Sequence, residues 1–198
     1  MKLTDARRDF YRKLAKDDGF RSRSAYKLLQ LNKSYHFLKN GDKVVDFGSY
    51  PGGWLQVARD RVGHKGLVIG TDVKQIDPLE GVICLNYSIE DPDLQEYLTG
   101  RIGRIDVVLS DLSPNISGMW EIDHFTQINL SRMAFNLSSV LLRRNGSAIY
   151  KVFDGDTLIE FVKEVSTRFH RVKISKPAAS RQSSSESYLV CSGFREQN

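Results

Sequence analysis

Two kinds of segment alternate along the chain. Short apolar runs with the length of buried strands lie at Val44–Asp46, Leu67–Asp72, Val82–Leu85, Ile105–Asp111 and Ser147–Phe153. Between them the apolar positions switch to a helical period. Leu55, Ala58 and Val62 form a stripe that Gly63 stops, and Asp91-Pro92 caps and opens a short helix reaching Leu98. Leu130, Ala134, Leu137, Val140 and Leu141 predict a long helix over Asn129–Arg144. Arg143 and Arg144 suit its C-terminus, and Gly146 ends it. Thr157-x-x-Glu160 reads as a capping box before the stripe Leu158, Phe161, Val162, Val165 and Phe169. Earlier in the chain, Ser24 is a hydroxyl cap for a helix through Leu31. Ala25, Leu28 and Leu29 would turn inward there, with Lys27 pointing another way. Two last strands, near 171–174 and 187–193, flank the polar loop Ser183-Ser184-Ser185-Glu186. Strands alternating with helices predict an α/β fold with a mostly parallel sheet covered on both faces. No repeat, linker or second domain is visible, so residues 1–198 read as one domain.

The turn after the first strand organises this pattern. Val44-Val45-Asp46-Phe47-Gly48-Ser49-Tyr50-Pro51-Gly52-Gly53-Trp54 runs from an apolar strand through three glycines and a proline into a helix. Glycine allows positive φ and close approach of a ligand to the main chain, and a helix N-terminus leaves amide donors free. The spacing is not Gly-x-Gly-x-x-Gly, so the dinucleotide fingerprint is missing. Asp72 follows about 20 residues later, where a carboxylate can accept hydrogen bonds from ribose hydroxyls. Asp46, Asp72 and Asp111 all stand at strand ends. Asp111, in Ser110-Asp111-Leu112-Ser113-Pro114-Asn115, sits beside a proline-stiffened loop at the mouth of the expected crevice. Lys151 interrupts an apolar strand, where lysine is seldom buried without a partner. Its strand would neighbour the one delivering Asp111, so a Lys151–Asp111 pair at the crevice is the natural geometry.

Charge adds a partner to this picture. The chain has 29 Lys and Arg against 24 Asp and Glu, a net charge of +5. Residues 1–27 hold nine cations and four Asp, so the whole surplus lies there, interleaved with Phe10, Tyr11, Phe20 and Tyr26. Cations neutralise phosphates and aromatic rings stack on bases, so residues 1–23 read as a nucleic-acid-contacting arm. A solvated tail is the alternative. Composition excludes a membrane span, and no apolar leader precedes the first helix. Cys84 and Cys191 lie in strand-like runs without metal-ligand spacing, which points to core thiols of a cytoplasmic protein and to no metal.

Four stretches together carry a resemblance: Asp46–Trp54, Ser110–Gly118, Tyr150–Phe153 and Ser180–Tyr188. In order along the chain they resemble the FtsJ (RrmJ) family of ribosomal RNA ribose 2′-O-methyltransferases, from Arg21-Ser22-Arg23-Ser24-Ala25-Tyr26-Lys27 to the last strand. The resemblance implies a Rossmann-like methyltransferase fold of seven strands, the last antiparallel, and S-adenosylmethionine as cofactor. It places the catalytic set on Lys27, Asp111, Lys151 and Glu186, and cofactor contacts on Gly52, Trp54, Asp72 and Asp111. Where the family has an acid near the adenine, this chain has Ser88, whose hydroxyl or main chain would take that contact. The implied partner is large-subunit rRNA, with uridine as target, or the ribosomal particle, and no oligomer is required. Lys27 and Glu186 carry no signal apart from the resemblance. Lys151 would act as general base when neutral, or orient the 2′-hydroxyl when charged. A tRNA or messenger-cap 2′-O-methyltransferase shares the tetrad. A silent RNA-binding module would need only the basic segment, and a small-molecule methyltransferase would not need it.

Overall fold

The computed structural model describes residues 3–181 and 184–196. Lys2 of the basic segment and Ser183 of the polar loop lie outside them. A seven-stranded sheet is built from β1 (Lys43–Phe47), β2 (Leu67–Thr71), β3 (Val82–Leu85), β4 (Ile105–Ser110), β5 (Leu142–Phe153), β6 (Phe169–Ser175) and β7 (Glu186–Phe194). Its order is β3-β2-β1-β4-β5-β7-β6. β1 to β5 pair in parallel, whereas β7 runs antiparallel to both β5 and β6. The expected architecture is therefore present, the last strand in sequence, β7, being antiparallel and lying between β5 and β6.

Two apolar layers sandwich the sheet. On one face, α2 (Ala25–Tyr35) and α3 (Gly53–Val62) bury Leu28, Leu31, Leu55 and Val62 against Val44, Val68, Leu109 and Ile149. On the other, α4 (Pro92–Tyr97), α5 (Trp120–Leu141) and α6 (Asp156–Ser166) cover Val45, Phe47, Val108 and Tyr150 with Leu94, Phe135, Leu158 and Phe161. Adjacent residues such as Val44 and Val45 thus enter opposite cores, which is why these strands read as continuous apolar runs. A π-helical turn, Leu98–Ile102, follows α4. Among the described residues no helix is long and apolar enough to cross a membrane. Cys191 is buried in β7 and Cys84 half-buried in β3, both as free thiols.

Several boundaries differ from the sequence pattern. α5 begins nine residues before Asn129 and stops at Leu141. Its first turns bury Asp123, His124 and Gln127, polar residues that hide the helical period. Arg143 and Arg144 belong to β5, and Arg143 pairs with Asp106 instead of a helix terminus. The Thr157–Glu160 capping box does not form. Gly155 occupies the cap, Thr157 bonds His124, and Phe169 opens β6. Ser24 caps no amide with its side chain; its hydroxyl meets that of Ser22 at 2.6 Å. Asp91 does cap α4, accepting from the Asp93 amide at 3.0 Å. The basic N-terminal segment forms α1 (Leu3–Asp17), with Tyr11, Leu14 and Ala15 packed near Tyr26 and Ala179.

Candidate active site

The site is assembled at the carboxyl ends of β1, β2 and β4, where parallel strands leave a crevice. The turn after β1 passes against the loop after β4 so closely that a Cβ on Gly48 would lie 2.9 Å from the Leu112 backbone. Gly48 also has φ of +79°, so no other residue fits without displacing that loop. The Gly48 and Ser49 amides donate to the Thr71 carbonyl, tying the turn to β2. On its outer side Arg21 donates to the carbonyls of Asp77 (2.6 Å) and Pro78 (2.7 Å), clamping the segment before α2 onto the site.

This frame encloses a cavity of about 300 Å³, lined by Gly48, Tyr50, Asp72, Ser88, Asp111 and Asn115 among others. The size is that of a small-molecule site. Asp72 presents its carboxylate at the cavity edge, fixed by the Tyr50 amide (3.0 Å) and the Lys74 amide (2.8 Å). Both bonds leave lone pairs for further donors. Ser88 also lines the wall, with its hydroxyl accepting from the Glu90 amide at 3.2 Å.

Beside the cavity, towards β5 and β7, lies a chain of polar groups. Lys151 on β5 donates from Nζ to the Asp111 carbonyl at 2.7 Å and stands 3.5 Å from Asp111 Oδ1. The Tyr188 hydroxyl on β7 donates to Asp111 Oδ1 at 2.9 Å, with Glu186 Oε1 at 3.2 Å. Glu186 accepts from Lys27 Nζ at 2.5 Å and from the Ser180 hydroxyl at 3.2 Å. Burial alone would raise the Glu186 carboxyl, but Lys27 and then Lys151 outweigh it and hold the group below its ordinary range. Tyr188 is pushed well above the usual phenol value by burial, then by the negative charge of Asp111 and Glu186. It is a neutral donor at physiological pH. Gln127 and Ser131 of α5 bond the Lys151 carbonyl at 3.0 and 2.7 Å, which sets the strand position of this lysine.

A model of the FtsJ-like methyltransferase family matches residues 20–194. The chain belongs to that family. It is 44% identical over 195 residues to the ribosomal RNA large subunit methyltransferase E of Cenarchaeum symbiosum, covering 98% of this chain and 100% of that one. The same-named protein of Nitrosopumilus maritimus is also 44% identical, with 98% and 99% covered. A Plasmodium falciparum crystal structure described as a ribosomal RNA methyltransferase superposes with a TM-score of 0.82 at 29% identity. That alignment covers 90% of this chain and all of that one.

The residues expected to act together fall into two groups. Lys27, Asp111, Lys151 and Glu186 meet through Tyr188, while Asp72, Ser88 and Asp111 face the cavity. Gly52 and Trp54 do not line it. Gly52, at φ +111°, is where Arg21 crosses the turn. The Trp54 ring lies buried against Tyr188, its indole N–H donating to the Ser24 carbonyl at 2.9 Å. Lys27 does not point to solvent as the helical pattern predicted. It is only 8% exposed, because Glu186 from β7 reaches the same spot. Sequence reasoning misses Tyr188, since one tyrosine in a strand has no distinguishing pattern. Asp46 is fully buried, and neither carboxyl oxygen has a partner among the described residues. Burial, then the negative charges of Asp111 and Asp72, push its carboxyl well above the ordinary carboxylate range.

Proposed function

We propose that this chain transfers the methyl group of S-adenosylmethionine to a ribose 2′-oxygen of large-subunit rRNA, at a uridine. The observation that carries the reading is the unbroken path Lys27–Glu186–Tyr188–Asp111–Lys151 beside the cavity. The names of the relatives support the RNA substrate.

The residues fit the cofactor. Asp72 offers fixed carboxylate lone pairs to ribose hydroxyls, Gly48 and Tyr50 of the turn after β1 line the cavity wall, and Ser88 offers a hydroxyl and main-chain groups to an adenine. Bound there, S-adenosylmethionine would supply a methyl already activated by its sulfonium. What remains is alignment of the 2′-oxygen and departure of its proton. Asp111 joins the two halves, lining the cavity while holding Lys151 through carbonyl and carboxylate. Lys151 thereby aims Nζ at the 2′-hydroxyl, either taking its proton or fixing its direction. Glu186 and Lys27 form an ion pair behind them that keeps Tyr188 and Asp111 in place. A rate that rises on the alkaline side would assign Lys151 the base role, and a flat profile the orienting one.

The basic segment, residues 1–23, we assign to RNA contact in the same single domain. Removing residues 1–20 should lower RNA affinity and flatten its salt dependence, by about 0.7–0.9 in log–log slope for each phosphate left unneutralised. Equal methylation by the truncated and full chains would reduce the segment to a solvated one. For the reaction itself, ribose methylation in rRNA is mapped with and without the protein. The expected product is a 2′-O-methyl dinucleotide resistant to alkali. Label on a base, or on tRNA in preference to rRNA, would overturn the reading.

A further inference from the structure

The first turn of α5 exposes apolar surface beside the polar chain just described. Trp120 is 47% exposed, and Met119, Ile122 and Phe125 are exposed with it. Yet the indole is not loose. It stacks on His124 (centroids 5.6 Å apart, planes at 21°) and on Phe153 (6.1 Å, 18°). His124 beneath it is buried, and its Nε2 is 2.7 Å from the Thr157 hydroxyl. A Cβ on Gly155 would come within 2.6 Å of the His124 ring, so this glycine is what lets the imidazole seat. The loop leading into α5 is pinned as well, because Asp123 accepts from the Ser117 amide (2.7 Å), the Ser117 hydroxyl (2.8 Å) and the Gly118 amide (3.2 Å). Thr157, expected to cap α6, is used here instead.

The position of this stack gives it a meaning. Phe153 lies two residues beyond Lys151 on β5, hence on the same face of the strand and about 7 Å away. It is paired in register with Glu186. With the Trp120 and Phe153 centroids 6.1 Å apart, the indole stands on the order of 13 Å along this line from Lys151, within a few nucleotides of the proposed methyl-transfer point. A rigid, half-exposed aromatic plane at that distance suits a nucleobase, since every base has a π-face and stacking is tolerant of sequence. We infer that Trp120, held by His124 and Phe153, is a stacking platform for the base of a nucleotide flanking the methylated ribose within a few positions. The inference rests on the methyl-transfer reading above. It adds a positioning residue that lies outside the tetrad and the cofactor cavity.

The chain's two tryptophans make a direct test possible. Trp54 is 2% exposed and hydrogen-bonded to Ser24, so quenching by added acrylamide reports Trp120. A short single-stranded oligoribonucleotide should quench the same emission. For methylation of large-subunit rRNA, Trp120→Leu should raise the RNA KM about ten- to hundred-fold. S-adenosylmethionine affinity and turnover at saturating RNA should stay within threefold. Trp120→Phe, which keeps a ring, should recover most of the loss, and thermal denaturation checks that both variants fold. An unchanged KM in Trp120→Leu, a Phe variant no better than Leu, or emission indifferent to RNA would overturn the inference. So would emission that changes with protein concentration together with a doubled mass in light scattering, which would give the surface to a second copy of the chain. If rRNA is methylated while the emission ignores RNA, only the platform falls. If no RNA is methylated, the methyl-transfer reading falls, and quenching still decides the platform.

Discussion

Asp111 separates two regions built on opposite plans. Towards β5 and β7 every charged group already has its partner: Lys151 with Asp111, and Glu186 with Lys27, with Tyr188 between the carboxylates. Towards β1 and β2 the wall is open, and among the described residues the Asp72 carboxylate is held by the Tyr50 and Lys74 backbone amides. A closed network fixes geometry before substrate arrives, at the desolvation cost of burying ions. An open wall keeps lone pairs in reserve for a ligand. On the reading proposed above, chemistry belongs to the first plan and binding to the second, so substitutions on the two sides should fail differently.

The largest expected effect is on rate. Lys151→Ala should lower turnover by about two to four decades while leaving S-adenosylmethionine affinity nearly intact. Turnover within threefold of wild type, measured with rRNA, would make this lysine structural only. On the same side, Lys27→Ala should act on stability. It leaves Glu186 buried without its nearest cation, a loss of about 3–5 kcal/mol by chemical denaturation.

The depressed Glu186 carboxyl sets the sign of a pH effect. Its stabilisation is whole above the ordinary value of 4.5 and is lost as pH falls through the lower folded value. Thermal denaturation between neutral pH and pH 3 should therefore show a shallower acid limb in Glu186→Gln than in wild type. Equal acid limbs would mean that the pair contributes nothing.

On the open side the effects should be smaller and confined to binding. Asp72→Ala should weaken S-adenosylmethionine by about 1.5–3 kcal/mol, the range of a charge-assisted hydrogen bond. Calorimetry with unchanged affinity would remove it from the site. Ser88→Ala should cost about 0.5–1.5 kcal/mol, as for one neutral hydrogen bond. If Ser88→Ala cost as much as Asp72→Ala, the wall would depend on that hydroxyl and the division between the two regions would blur.

The amino-acid sequence by itself determined the strands, most helices, the glycine turn and the strand-end acids. These depend on local rules: buried strands are apolar runs, helices carry a 3.6-residue stripe, and a turn packed on another loop needs glycine. Lys151 was legible too, because a lysine inside an apolar strand violates its surroundings. Lys27 and Glu186, 159 residues apart, were legible only through resemblance to a family, since neither breaks a local pattern. Tertiary structure alone decided the burial of Lys27, the bridging hydroxyl of Tyr188, and the unpartnered Asp46. It also moved Thr157 from a helix cap to a prop for His124, and pulled the start of α5 back to Trp120. In each case the fate of a side chain is set by a distant element, and no periodicity records which element the fold will bring near.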